Sequence, residues 1–313
     1  MKRLKELLFK FTATDVTAFI FYLLLIITNL VFCGKVKYWP GLIALELCVI
    51  VFLWITNYFL YNGNSRFTNL IHLWYPTVLI FITYKQLYFM IKPIRVFDYD
   101  DLLIKIDRFI FQQDPTKALY HIANPLLTEI LQLVYFSFYL LPVFLGLFLY
   151  LEKKYLETDY VMFSVVYGFF VSYVGYFLLP AIGPRFTLHD FSLMDAELPG
   201  IFLTEPLRHF INSGGSVTSM GQSLTDSFQR DVFPSGHTMI TLIVMYLAYK
   251  LKSSIRSALF IMGTMLIFST VYLRYHYGID VIAGSLFAVF SVWSGKILFN
   301  KWQKACGREL IKY

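Results

Sequence analysis

The chain has 313 residues, with 27 Lys plus Arg against 20 Asp plus Glu and a formal net charge of +7. Apolar residues make up 58% and charged residues 15%, against about 45–50% and about 25% in soluble domains. These figures exclude a soluble enzyme, a disordered chain and a collagen-like repeat. Three widely spaced cysteines, Cys33, Cys48 and Cys306, exclude a disulfide scaffold and a CxxC zinc site.

A polytopic all-α membrane protein is the expected class. Crossing a hydrocarbon core takes about 20 apolar residues as a helix. Eight runs qualify as candidates, at 15–33, 38–61, 68–91, 125–151, 159–182, 237–250, 255–273 and 277–299. They are continuously apolar, which excludes the alternating pattern of a β-barrel. The first follows a short basic head without a cleavage pattern and is expected to be a retained span. The sixth is short and gains length only if its helix begins at Ser235.

Between the third and fourth runs, the stretch DDLLIKIDRFIFQQDPTKAL mixes acids, bases and apolar residues. It is expected to lie in the interface, with Leu103, Ile104, Ile106, Ile110 and Phe111 toward lipid. The expected divisions are 1–91 (basic segment and three spans), 92–124 (interfacial segment), 125–299 (core) and 300–313 (basic tail). The short basic connections, including Arg66, Lys153 and Lys154, and Lys252 to Arg256, fall on one side with both termini. By the positive-inside rule that side is the cytoplasm. The second long loop, with Ser213-Gly214-Gly215-Ser216, is expected to be a lid or a linker. Glu46, Lys85 and Gln86 lie in or near apolar runs; a neutral buried carboxyl and snorkelling side chains account for them.

Polar residues at the ends of apolar helices stand out. Pro234-Ser235-Gly236-His237 directly precedes the sixth run. Ser is a good N-cap, and free N–H groups at a helix start favour an anion. The bland reading is a proline–serine turn with an interfacial histidine. Arg274-Tyr275-His276-Tyr277-Gly278-Ile279-Asp280 lies where the seventh run meets the eighth. On a continuing helix Asp280 reaches a ring nitrogen of His276 and fixes its tautomer. The bland reading there is a polar pair holding two helices. Two spans separate His237 from His276, so both emerge on the non-cytoplasmic face. Arg185, in Gly183-Pro184-Arg185-Phe186, joins them there. Two arginines, two histidines and a helix start suit phosphoryl transfer, since no serine with its own base is evident. A metal site is disfavoured because Arg185 and Arg274 would repel a cation.

PSGH at 234–237 followed by HxxxD at 276–280 resembles the type 2 phosphatidic acid phosphatase superfamily. That resemblance implies a six-helix core and metal-independent phosphatases or lipid phosphotransferases, with no cofactor. The family's third motif is usually SR-x5-H-x3-D and its first K-x6-RP. Here Ser269 is followed by Thr270 where Arg is usual, and Leu178 stands where Lys is usual. Arg274 is expected to take over the charge. The GPR segment, Asp107 to Phe111 with Asp114-Pro115, and YFSFYLLP at 135–142 resemble the inositol phosphorylceramide synthase-like branch. The likeness runs over about 105–299. It implies that His276 is the nucleophile, Asp280 orients it, and His237 is the general acid. Arg185 and Arg274, with backbone N–H groups of Ser235 and Gly236, would bind phosphate.

The expected substrate is a membrane lipid, a phospholipid or a polyprenyl phosphate, and the expected activity its hydrolysis. The alternative is transfer of a phosphate-linked headgroup to another lipid. A non-catalytic transporter or scaffold would have little use for such residues on one face. The net charge of +7 points to anionic lipid, and nothing points to nucleic acid.

Overall fold

The computed structural model describes residues 10–62, 66–215 and 228–313. The basic head (1–9) and most of the Ser/Gly-rich loop (216–227) lie outside the described residues. Among the described residues all regular structure is helical. Helices α1 (Ala13–Val31), α2 (Trp39–Asn62) and α3 (Arg66–Ile94) come first. The amphipathic α4 (Asp100–Phe111) and the short α5 (Pro115–Tyr120) follow. Then come α6 (Pro125–Phe136), α7 (Leu140–Leu151) and α8 (Tyr155–Leu178). The second long connection carries α9 (Pro184–Thr187), α10 (Met194–Glu197) and α11 (Thr204–Gly214). The chain ends with α12 (Gly236–Lys250), α13 (Arg256–Tyr272) and α14 (Gly278–Ala305).

All eight expected runs are helical. Five, counting α6 and α7 as one, are long and apolar enough to cross a bilayer: α1, α2, α6–α7, α8 and α14. They fit a membrane-embedded protein. The α6–α7 run tightens to a 3₁₀ turn at Ser137–Tyr139. Pro142 explains this, because it has no N–H for the carbonyl four residues back and its ring crowds that turn.

Helix α8 is the centre of the bundle. Its apolar window is 72% buried, against 28–33% for the other four. It packs on α1, α3, α7, α12 and α14. Helix α12 is also enclosed, by α7, α8, α13 and α14. At 15 residues it is about 22 Å long, and burial among other helices spares it from matching the full lipid thickness. Its start is the expected one, with Ser235 as the N-cap.

The first three helices are joined by a buried polar clasp. Glu46 on α2 accepts hydrogen bonds from Asn29 on α1 (2.8 Å) and Gln86 on α3 (2.6 Å). Gln86 therefore does not snorkel, and Glu46 has partners that its sequence neighbours do not reveal.

Helix α4 differs from expectation. Its buried stripe is Asp100, Leu103, Ile104 and Asp107, spaced i, i+3, i+4, i+7. Leu103 and Ile104 pack inside the protein with Ala181, Val232 and Tyr277, while Phe109, Ile110 and Phe111 stay exposed. The two acids hold backbone elsewhere. Asp100 accepts from Ile182 N (3.0 Å), Gly183 N (2.8 Å) and the Tyr277 hydroxyl (2.8 Å). Asp107 accepts from Gly278 N (2.8 Å) and Ile279 N (2.6 Å), two of the orphan donors at the start of α14.

Candidate active site

The PSGH turn and the HxxxD segment meet through their backbones. Ser235 Oγ caps α12 by accepting from Thr238 N (3.2 Å), and Ser235 N donates to the Asp280 carbonyl (3.1 Å). His237 in the first turn lies against Tyr135 (ring centroids 4.5 Å apart, 22° between planes) and Phe138 (4.2 Å).

His276 stands on a loop, not on a continuing helix. Helix α13 ends in a Schellman motif: Arg274 has φ 64°, its N–H bonds Val271 O (3.0 Å), and Tyr275 N bonds Thr270 O (3.0 Å). His276 N bonds the same Thr270 carbonyl (3.0 Å). Asp280 belongs to the next helix, where its Oδ2 accepts from Tyr277 N (2.7 Å). From there Oδ2 lies 3.5 Å from His276 Nδ1.

The tautomer follows from a different partner. His276 Nδ1 is 3.0 Å from the Val232 carbonyl. A carbonyl only accepts, so Nδ1 carries the proton and Nε2 keeps its lone pair. Nε2 in turn lies 3.3 Å from His237 Nδ1. The Val232 carbonyl thus performs the fixing expected of Asp280, whose carboxyl group sits just behind. Burial pushes the His276 imidazole down to about 4; Asp231 and the Val232 carbonyl oppose this, and Arg185 adds to it.

Both histidines open on a cavity of about 400 Å³ that Arg185 also lines. Gly183 makes the turn into Arg185 with φ 100°, and a Cβ there would meet Tyr275 O at 3.1 Å. The Arg185 N–H bonds the Arg274 carbonyl (3.1 Å). Its guanidinium donates to Asn212 Oδ1 (2.8 Å) and stacks on Tyr275 and Phe186 (4.9 and 4.6 Å to the ring centres). Apolar walls come from Phe81, Phe136, Phe138, Leu140, Phe210 and Ile211.

Three expected phosphate ligands are placed differently. Arg274 is buried, but its guanidinium pairs with Glu197 and lies over Tyr120, outside the cavity lining. The left-handed backbone at Arg274 turns the chain, so helical facing does not apply to this side chain. The Ser235 N–H is occupied by the Asp280 carbonyl. Neither Ser235 nor Gly236 lines the cavity.

Sequence reasoning also missed residues that do line it. Tyr84 and Lys85 come from α3, and Asp231 precedes the PSGH turn. The Tyr84 hydroxyl donates to Asp231 Oδ2 (2.6 Å). A carboxylate three residues before a recognised motif was the available signal for Asp231. Lys85, in an otherwise apolar run, carried the same kind of signal. Two further histidines, His72 and His189, bond Asp15 (3.0 Å) and Thr116 (2.9 Å) and do not line the cavity.

A family profile described as the PAP2 superfamily matches residues 102–294. The chain belongs to the PAP2 superfamily. Neither the comparison with curated proteins nor that with solved structures gives a match. Membership supports phosphatase-type chemistry on lipid phosphate, and the two PAP2 motifs are the segments that bring His237 and His276 together. The matched PAP2 segment begins after α3, although α3 supplies part of the cavity wall.

Proposed function

We propose that this protein hydrolyses a phosphate ester of a membrane lipid through a phosphohistidine on His276. The observation that carries this reading is the 3.3 Å approach of His276 Nε2 to His237 Nδ1 on a cavity shared with Arg185. The proton on Nδ1 leaves the Nε2 lone pair to attack phosphorus. As the N–P bond forms, the bond to the leaving oxygen breaks, and His237 gives that oxygen a proton. Afterwards His237 takes a proton from water, whose oxygen attacks phosphorus and releases His276. Arg185 offers paired N–H groups to the phosphate oxygens. Asp280 stabilises the positive charge that His276 acquires during attack. The apolar walls suit acyl or prenyl chains.

The active face is assigned to the non-cytoplasmic side, with both termini cytoplasmic, because the short basic connections fall on the opposite face. A second reading, transfer of the phosphate-linked group to another lipid, has one observation in its favour. Asp231 on the cavity wall suits a hydrogen bond from an acceptor hydroxyl. Incubating the purified protein with phospholipids and polyprenyl phosphates, with and without alcohol acceptors, separates the two by product mass. Acid-labile phosphate on the wild-type protein but not on His276→Ala tests the intermediate. Absence of label in a rapid quench from a turning-over enzyme would reject it.

A further inference from the structure

With Arg274 turned away, the cavity needs another source of positive charge. A transferring phosphoryl group spreads its negative charge over three oxygens, and enzymes of this chemistry place cations around it. Burial holds His276 neutral near pH 7. Among the described lining residues the basic side chains besides the two histidines are Arg185 and Lys85.

Lys85 lies in α3, a helix of the first three that the family match leaves out. The ordinary account of such a lysine is snorkelling, in which the stem lies along the apolar surface and the ammonium reaches the headgroups. The structure gives that ammonium a partner within the protein. The Lys85 side chain is exposed where it lines the cavity, and its ammonium donates to the Gly214 carbonyl at the end of α11. It has three N–H donors, so this bond leaves others to offer. The neighbouring Tyr84 crosses to Asp231, which fixes the direction of α3 toward the cavity. The end of α11 that meets Lys85 also supplies Asn212, the partner of Arg185. The two cations are therefore tied to adjacent points of one helix end, on one cavity wall.

We propose that Lys85 is the second phosphate-binding cation of this site, contacting substrate oxygens alongside Arg185, so that α3 is part of the catalytic unit. This rests on the phosphatase reading above. It also gives a physical reason for the departures in motif: the charge missing at positions 178 and 270 enters from a different helix. Asp231, held by Tyr84, balances the two cations when no phosphate is bound.

The test uses the full-length protein in detergent, with a lipid phosphate as substrate and inorganic vanadate as a phosphate mimic. Lys85→Met should lower kcat/KM by roughly 10²–10³-fold, the scale for losing one transition-state charge partner. Vanadate inhibition, and the thermal shift that vanadate produces, should weaken by at least about tenfold. Lys85→Arg should recover most of both, and the unfolding midpoint without vanadate should stay within a degree or two. His276→Ala serves as the control for the reading itself. If His276→Ala is inactive while Lys85→Met stays within about twofold on both readouts, the assignment of Lys85 is wrong and the phosphatase reading stands. An active His276→Ala overturns both. If Lys85→Arg is as impaired as Lys85→Met, or Lys85→Met loses turnover but keeps its vanadate affinity, Lys85 is a brace and the proposal fails.

Discussion

Arg274 separates two accounts of the site, because sequence spacing makes it a phosphate ligand and the structure makes it a buried brace. Its side chain is 2% exposed and pairs with Glu197, which is 32% exposed. Breaking a fully buried ion pair typically costs about 3–5 kcal/mol. Here the surviving carboxylate can hydrate, so Arg274→Ala should cost less, about 2 kcal/mol. At this chain length that lowers the unfolding midpoint by roughly 3 °C. Turnover of the remaining folded protein should fall by no more than about fivefold, whereas Arg185→Ala should lose roughly 10²–10³-fold. Backbone strain adds a further handle. Arg274 occupies the left-handed region at φ 64°, a conformation that costs an ordinary residue about 1 kcal/mol and glycine almost nothing. Arg274→Gly should therefore be more stable than Arg274→Ala, by about that amount. Arg274→Met with Glu197→Gln should recover part of the loss, since no unpaired charge remains. The assay pairs thermal unfolding with kcat/KM measured well below the midpoint. A hundredfold loss of turnover in Arg274→Ala at an unchanged midpoint would show that its guanidinium reaches the phosphate after all.

Further outcomes follow from the same geometry. His237→Ala should lose about 10²–10⁴-fold on a lipid ester, but much less on a nitrophenyl phosphate ester, whose leaving group needs little protonation; equal losses would remove the general-acid role. Attack requires a neutral His276, and burial lowers its pKa to about 4, so kcat/KM should hold as pH falls through 6.5 and decline only near pH 4. An acidic limb at or above 6.5 contradicts that burial argument. In a protein whose Cys33, Cys48 and Cys306 are replaced, a cysteine at the exposed Phe202 should react with an impermeant thiol reagent in intact cells. One at Lys153 should not, and the reverse pattern inverts the topology.

The sequence exposed those features that depend on short-range rules. Apolar run length located all eight helices, and the N-cap preference of serine located the start of α12 at its first residue. PSGH and HxxxD brought His237 and His276 to one cavity because each motif sits at a helix start on the same face. The misplacement of Arg274 has one cause, the assumption that α13 continues through Arg274 to Asp280. No glycine marks its end; the left-handed residue is Arg274 itself, and the Schellman bonds to Val271 and Thr270 close the helix without one. Once the helix stops, the angular relation between positions 270 and 274 is lost. The Val232 carbonyl was invisible for another reason. A backbone acceptor has no letter in the sequence, so only the fold reveals that it sets the His276 tautomer. Lys85 was hidden by distance, since nothing local connects α3 to a motif about 150 residues later.

Helix α4 shows how such a site is held in a largely apolar protein. A loop that brings two histidines and an arginine together exposes backbone N–H groups that lipid cannot satisfy. Asp100 takes two of them at Ile182 and Gly183, and Asp107 takes two more at Gly278 and Ile279. These are the backbones just before Arg185 and just after His276. The same stripe of α4 therefore clamps both active-site segments, and its two apolar members, Leu103 and Ile104, pack between them against Ala181, Val232 and Tyr277. A carboxylate accepting two N–H bonds is charge-assisted, and each such bond is worth about twice a neutral one. This explains why α4 turns Asp100 and Asp107 inward where an interfacial helix would turn them to water. The amphipathic pattern in the sequence is real, but the face it buries is defined by the active-site loops.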